Sequence, residues 1–391
     1  MKDDRRKELI KIYRDGLLHN TLPFWFPSSV DKEHGGFITS RDRDGTILDD
    51  DKGIWQQCRA TWLLATLYNS VDQNPQWLKW SQNGIDFISK HAFEKNNRMW
   101  FHVTKDGKPI RKRRYIYTEC FGSIAYAALG KATGDSEKIK KSHDLYETAM
   151  RQIANPSIKN QKFTNTRPAK SIGPLMIKIA TAQELRLNLN DDSFTSDIEN
   201  AIQEIEKDFL KPEIECLMET VALDGEIIDH FDERTLNPGH AIECAWFILW
   251  EAKKQNDNQR LIELGCQILD WMWERGWDKK YGGLYYFRDV YNRPVQEYWH
   301  DMKFWWPHNE AIIATLLAWT LTKNEKYLKM HSLVHNWAYK HFEDQEHGEW
   351  FGYVHRDGRL SSQIKGNLWK GPFHLPRMQL VCWRLLEDGT P

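Results

Sequence analysis

A chain of 391 residues is long enough for two average domains or for one large all-helical or barrel domain. Its 54 Lys+Arg against 55 Asp+Glu leave no basic excess of the kind that binds nucleic acid or another polyanion. Hydrophobic residues reach 41%, yet no apolar run could span a bilayer, and even the stretch 241–250 is broken by Glu243. A soluble protein with neither a nucleic-acid nor a membrane partner is expected.

Residues 1–6 are charged and run into an amphipathic pattern over 5–18, which is not a secretory signal. Six cysteines (Cys58, Cys120, Cys216, Cys244, Cys266, Cys382) are scattered without a CxxC pair, the usage of reduced thiols in a cytoplasmic protein. The 19 tryptophans serve equally a large core or a site that stacks on sugar rings. The one basic cluster, Arg111 to Arg114, follows Asp106-Gly107 and reads as a solvated loop with one or two substrate contacts.

An internal repeat organises the chain. Asp31-Lys-Glu-His-Gly-Gly-Phe is echoed by Asp278-Lys-Lys-Tyr-Gly-Gly-Leu and Asp344-Gln-Glu-His-Gly-Glu-Trp, with looser copies from Glu94 and Glu213. A second turn follows, as in Arg43-Asp44-Gly45 and Arg356-Asp357-Gly358. The starts are spaced by about 65 residues with one double gap, which predicts a sixth copy over 155–168. Between these segments lie helical patterns in pairs. The first of each pair covers 55–67, 117–129, 171–187, 240–253, 308–322 and 374–386. The second covers 76–91, 136–153, 195–209, 258–275 and 326–341, with 5–18 completing the set. Six hairpins cannot bury their faces as isolated pairs, and closing them into a ring gives each two neighbours. The expected fold is all-α: one (α/α)6 toroid over residues 1–391, with short β segments gathered at one end.

That geometry would send the starts of the inner helices into one cavity. They carry Arg59, Glu119, Lys170, His240 with Glu243, His308 with Glu310, and His374 with Arg377. Among them, Asn237-Pro238-Gly239-His240 reads as a loop closing on a helix start. The positive end of that helix dipole favours a neutral imidazole, available as a base near neutral pH, and Glu243 projects from the same face. Convergent titratable groups in a cavity mark a site better than any one of them alone.

Six segments in order carry a family resemblance: Asp51-Lys52-Gly53-Ile54-Trp55-Gln56-Gln57-Cys58-Arg59, the 237–240 loop, Tyr281-Gly282-Gly283-Leu284-Tyr285-Tyr286-Phe287, Lys303-Phe304-Trp305-Trp306-Pro307-His308-Asn309-Glu310, Gly348-Glu349-Trp350-Phe351-Gly352-Tyr353, and Lys370-Gly371-Pro372-Phe373-His374-Leu375-Pro376-Arg377. Together they resemble the N-acylglucosamine 2-epimerase family, the renin-binding protein family. The resemblance implies an (α/α)6 barrel, often a homodimer, that interconverts N-acetylglucosamine and N-acetylmannosamine. It implies His240 and His374 as the acid/base pair, with Arg59 and Glu310 also required. No cofactor is implied as obligatory, and ATP activates some members without being consumed.

The residues support the same chemistry. Epimerising a sugar at C2 removes a proton beside the open-chain aldehyde and returns it from the other face, so one base on each face of a planar enolate suffices. Arg59 or Arg377 can hold the developing oxyanion. Glu243 or Glu310 can orient a histidine, or else pair with an arginine. Lys170, His308, Trp306 and Trp55 complete the expected substrate contacts. Related cellobiose 2-epimerases and mannose-type isomerases usually carry a further histidine on the third inner helix; 164–187 has none, and Arg167-Pro168-Ala169-Lys170 and Pro174-Leu175-Met176 stand there instead. A glycosidase or lyase would need two carboxylates across the cavity, and a non-catalytic interaction protein would have no use for the two histidines. No HxH or HExxH spacing announces a metal, and Gly130-Lys131 lacks the surroundings of a phosphate loop.

Overall fold

The computed structural model describes residues 1–112, 115–154, 163–164 and 166–389. In chain order the helices are α1 (Asp3–Gly16), α2 (Leu22–Trp25), α3 (Ile54–Ser70), α4 (Pro75–His91), α5 (Tyr117–Thr133), α6 (Ser136–Ala154), α7 (Gly173–Leu189), α8 (Thr195–Glu204), α9 (Pro238–Lys254), α10 (Gln259–Gly276), α11 (Trp305–Thr322), α12 (Glu325–Phe342) and α13 (His374–Glu387). Helices α3, α5, α7, α9, α11 and α13 contact one another in that sequence as an inner ring. Around them α4, α6, α8, α10, α12 and α1 form the outer layer. The seam between α13 and α3 is closed by Trp62 against Phe373, with ring centroids 5.3 Å apart.

The two layers follow from pattern. Inner helices touch neighbours on nearly every side, and α11 is buried from Trp305 to Ala318. Outer helices bury one stripe, as in α4, where Ser81, Gly84, Ile85, Phe87 and Ile88 face inward. The predicted boundaries shift where proline is concerned. Helix α11 begins at Trp305 rather than 308, because Pro307 then lies in a first turn whose N–H groups have no partner within the helix. The predicted helix 195–209 is α-helical to Glu204 and finishes as a wider π turn, Ile205–Phe209.

Each clearly repeated segment is a tight hairpin, closed by the pairs Val30–Phe37, Phe93–Met99, Leu210–Leu217, Trp277–Leu284 and Glu343–Trp350. Gly35 and Gly36 have φ of 81° and 72°, and Gly282 and Gly283 of 72° and 73°, values glycine adopts without strain. The predicted sixth copy, 155–168, falls mostly outside the described residues. Three copies share a buried pin. Lys52 Nζ lies 2.7 Å from Asp31, Lys303 Nζ 3.2 Å from Asp278 and Lys365 Nζ 3.0 Å from Asp344. Each lysine also donates to a carbonyl of its own hairpin, those of Gly35, Gly283 and Gly348.

These hairpins form a collar at the end of the ring where the inner helices begin. The strand leading into an inner helix pairs with the next unit: Lys52–Gly53 with Trp100–Val103, Ala169–Ser171 with Thr220–Ala222, Thr235–Leu236 with Arg288–Asp289, and Lys303–Phe304 with Tyr353–Val354. The seam obeys the same rule, since Gly366 before α13 bridges to Arg41 of the first unit. A second link runs the same way. Arg356 reaches back to Asp278 at 2.7 Å, and Arg43 reaches across the seam to Asp344 at 2.8 Å.

Gly366 is confined by this closure: a Cβ there would lie 1.9 Å from the Thr39 carbonyl oxygen. Gly366→Ala should therefore cost about 1–3 kcal/mol, read as a lowered midpoint in urea with an unchanged slope. Away from the seam, Tyr13 of α1 bonds His331 and His335 of α12, both at 2.9 Å. Burial holds His331 down at about 3 and His335 well below its ordinary 6.5. Their neutral forms stabilise the fold above pH 6.5, and that stability is lost as pH falls towards the folded values, by roughly 1.4 kcal/mol per unit per histidine. The thermal midpoint should drop between pH 6.5 and 5, with a shallower slope in a His331→Gln/His335→Gln double variant. An equal slope would place the acid sensitivity elsewhere.

Candidate active site

Three consecutive inner helices build the floor of the cavity. On α9, the Asn237 side chain accepts from the His240 backbone N–H at 3.2 Å and so fixes the first turn. His240 Nδ1 lies 3.1 and 3.2 Å from the two oxygens of Glu219, which stands between the short strands Cys216–Leu217 and Thr220–Ala222. His374 opens α13, its Nδ1 2.7 Å from Glu310 Oε1 on α11, while Glu310 Oε2 accepts from Trp246 Nε1 at 2.8 Å. Arg377, one turn along α13, places Nη2 2.7 Å from both Glu243 and Glu310. Trp306 flanks both imidazoles, with ring centroids 5.0 Å from His240 and 5.8 Å from His374.

A carboxylate accepts a hydrogen bond, so the contacts at Nδ1 assign the Nδ1–H tautomer to both histidines and direct each Nε2 lone pair away from its anchor. Burial, and then the charges of Arg377 and Arg59, push His374 well below its ordinary value, keeping it a neutral base. Arg59 lies between the faces of Phe121 and Phe373, its guanidinium carbon 4.2 and 4.4 Å from their centroids. Burial first, and Arg377 second, lower it to about 9. Its Nε is buried without a hydrogen-bond partner, and among the described residues no carboxylate pairs with it. Trp55 is at the rim beside Phe101, Tyr117 and Trp369, and donates to Thr118 at 2.9 Å.

Of the ten expected site residues, the cavity gathers His240, His374, Arg59, Glu310, Glu243, Arg377, Trp306 and Trp55. Two are elsewhere. His308 is fully buried against the outer layer, stacked on Trp337, its Nε2 accepting from the Leu284 N–H and its Nδ1 beside the Phe304 carbonyl. It stands two residues, about 200°, around the helix from Trp306. Lys170 precedes α7 on a strand and pairs with Asp208 and Glu204 of the outer layer. Glu119 likewise turns outward, two residues past Tyr117, to Arg98 at 2.6 Å.

Glu219 escaped the sequence analysis because it lies in a hairpin and not at a helix start; the gathering of hairpins at this end was the available signal. A second finding had no sequence spacing to announce it. Glu243, Glu310 and His374 offer possible ligand atoms within 4.8 Å of one another. The Arg377 guanidinium already supplies a cation to both carboxylates there.

The model of the family described as N-acylglucosamine 2-epimerase (GlcNAc 2-epimerase) matches residues 36–374. The chain belongs to this family. It is similar to the N-acylglucosamine 2-epimerase of Bos taurus, 30% identical over 98% of this chain and 94% of that protein. The Homo sapiens N-acylglucosamine 2-epimerase is also 30% identical, over 98% and 92%. Among solved structures, cellobiose 2-epimerase from Bacillus thermoamylovorans superposes with a TM-score of 0.83 at 21% identity, covering 97% of this chain and 99% of that one; the shared fold is the (α/α)6 ring. Within this family member, imidazole nitrogen spectra at pH 7 should show His374 protonated at Nδ1. In Glu310→Gln, whose amide can donate to Nδ1, the proton should move to Nε2.

Proposed function

We propose that this protein interconverts N-acetyl-D-glucosamine and N-acetyl-D-mannosamine by moving a proton at C2 of the ring-opened sugar. The observation that carries the reading is a pair of imidazoles, each anchored at Nδ1 by a carboxylate and both packed beside the same indole, Trp306. Nε2 of one histidine takes the C2 proton, leaving a planar enolate. Nε2 of the other, protonated, returns a proton to the opposite face, and the reverse reaction exchanges the roles. Positioned acids and bases of this kind contribute roughly 10² to 10⁴-fold each. Glu310 and Glu219 fix the tautomers and stabilise whichever imidazolium forms. Arg59, a buried cation with no carboxylate partner among the described residues, faces the developing oxyanion at O1. Arg377 holds the two carboxylates of the floor, and Trp306 and Trp55 bound the sugar.

A glycosidase reading is disfavoured because Glu243 and Glu310 share one guanidinium and so are not free as an acid/base pair. Assembly as a homodimer in the cytoplasm belongs to the same proposal; all six cysteines are free and buried, in keeping with a reducing compartment. ATP activation is tested by initial rates with and without the nucleotide. Gly130, inside α5 and packed on Ile139, forms no phosphate cradle, and no step above requires one.

In D₂O, N-acetylmannosamine should yield N-acetylglucosamine carrying deuterium at C2. A ketose product would indicate an isomerase, and no exchange with any sugar would sink the two-base mechanism. His240→Ala and His374→Ala should each abolish exchange while leaving the circular dichroism unchanged. Glu310→Gln should lower kcat on the order of 10⁴-fold, the usual scale when a carboxylate-anchored histidine adopts the wrong tautomer.

A further inference from the structure

The wall opposite Trp306 carries a hydroxyl that the proposed proton transfer does not use. In the inner ring α5 stands three places from α11, so Tyr117, first residue of α5, faces the cavity from the side opposite Trp306. Its ring is held edge-to-face by Trp55 and Tyr115, at 5.5 and 5.6 Å. Its Oη sits over the first residue of α7, Gly173, where a Cβ would lie only 2.5 Å away. Among the described residues nothing hydrogen-bonds to that hydroxyl. Burial, and then the nearby charges of Glu219 and Glu243, raise its pKa, so it stays a phenol that can donate. Both carboxylates are already engaged, by His240 and Arg377.

We propose that Tyr117 Oη, in the space left by Gly173, recognises the C2 substituent and is the contact by which the site prefers an acylamino group to a hydroxyl. This rests on the reaction proposed above. A C2 carbon between two bases becomes planar, and its three substituents lie in the plane between the imidazoles. Trp306 closes one side of that plane, so the substituents extend towards α3, α5 and α7. Arg59 on α3 suits the oxyanion at O1, which leaves the α5/α7 wall to the group on C2. An amide carbonyl oxygen is three bonds from C2 and accepts from a phenol, whereas a 2-hydroxyl oxygen is one bond away and falls short of the wall.

The test compares wild type, Tyr117→Phe and Gly173→Ala, whose methyl displaces the hydroxyl. It measures kcat and KM on N-acetylmannosamine, and dissociation constants for N-acetylglucosamine and glucose by tryptophan fluorescence. Both variants should lose about tenfold in affinity for the acylated sugar, the scale of one hydrogen bond, with KM rising more than kcat falls. Affinity for glucose should change less than twofold. Equal losses on both sugars, or none on the acylated one, would overturn the proposal. The binding comparison decides even if the wild type epimerises nothing, an outcome that would refute the reaction and not the contact. A wild type that binds neither sugar would overturn both.

Discussion

A single guanidinium shared by two carboxylates underlies the site. Arg377 of α13 touches Glu243 of α9 and Glu310 of α11, and so joins three of the six inner helices beneath the cavity. All three groups are largely removed from water, where loss of one partner leaves an uncompensated charge costing about 3–5 kcal/mol. The consequence is positional. Glu310 cannot swing without abandoning Arg377, and with Glu310 fixed, the imidazole of His374 has one orientation and one tautomer.

The two histidines are not equivalent. His374 is enclosed, beside two arginines, while the His240 side chain is 39% exposed and its anchor Glu219 comes from the collar instead of an inner helix. One base is therefore set by the core of the ring and the other by the hairpins at its mouth. Trp306 is common to both, a rigid surface that holds the imidazoles in register with one another.

The ring was legible in the sequence because its repeat is chemical as well as periodic: left-handed turns favour glycine, and three of the hairpins share a buried aspartate. Inner and outer helices separated by pattern for the same reason. The site was read less completely. Clustering titratable residues by helix start ignores rotation, and a helix turns about 100° per residue. His240 and Glu243, or His374 and Arg377, differ by three positions and share a face; Trp306 and Glu310 differ by four. His308 and Glu119 differ by two from Trp306 and Tyr117, and each went to the outer layer. Setting every start against its aromatic neighbour would have excluded both. Glu219 required knowing which hairpin faces which helix, a long-range fact that no local spacing carries.

Among the described residues the collar pairs five of the six units with their successors, and the Gly366–Arg41 bridge and the Arg43–Asp344 ion pair repeat at the seam what the Lys303–Val354 pairing and the Arg356–Asp278 pair do inside the chain. The joint between first and last units is thus built like the joints the backbone spans. The ring is a cyclic object that happens to be threaded by a linear polymer, and its integrity belongs to the six contacts between neighbours more than to the peptide bonds that connect five of them.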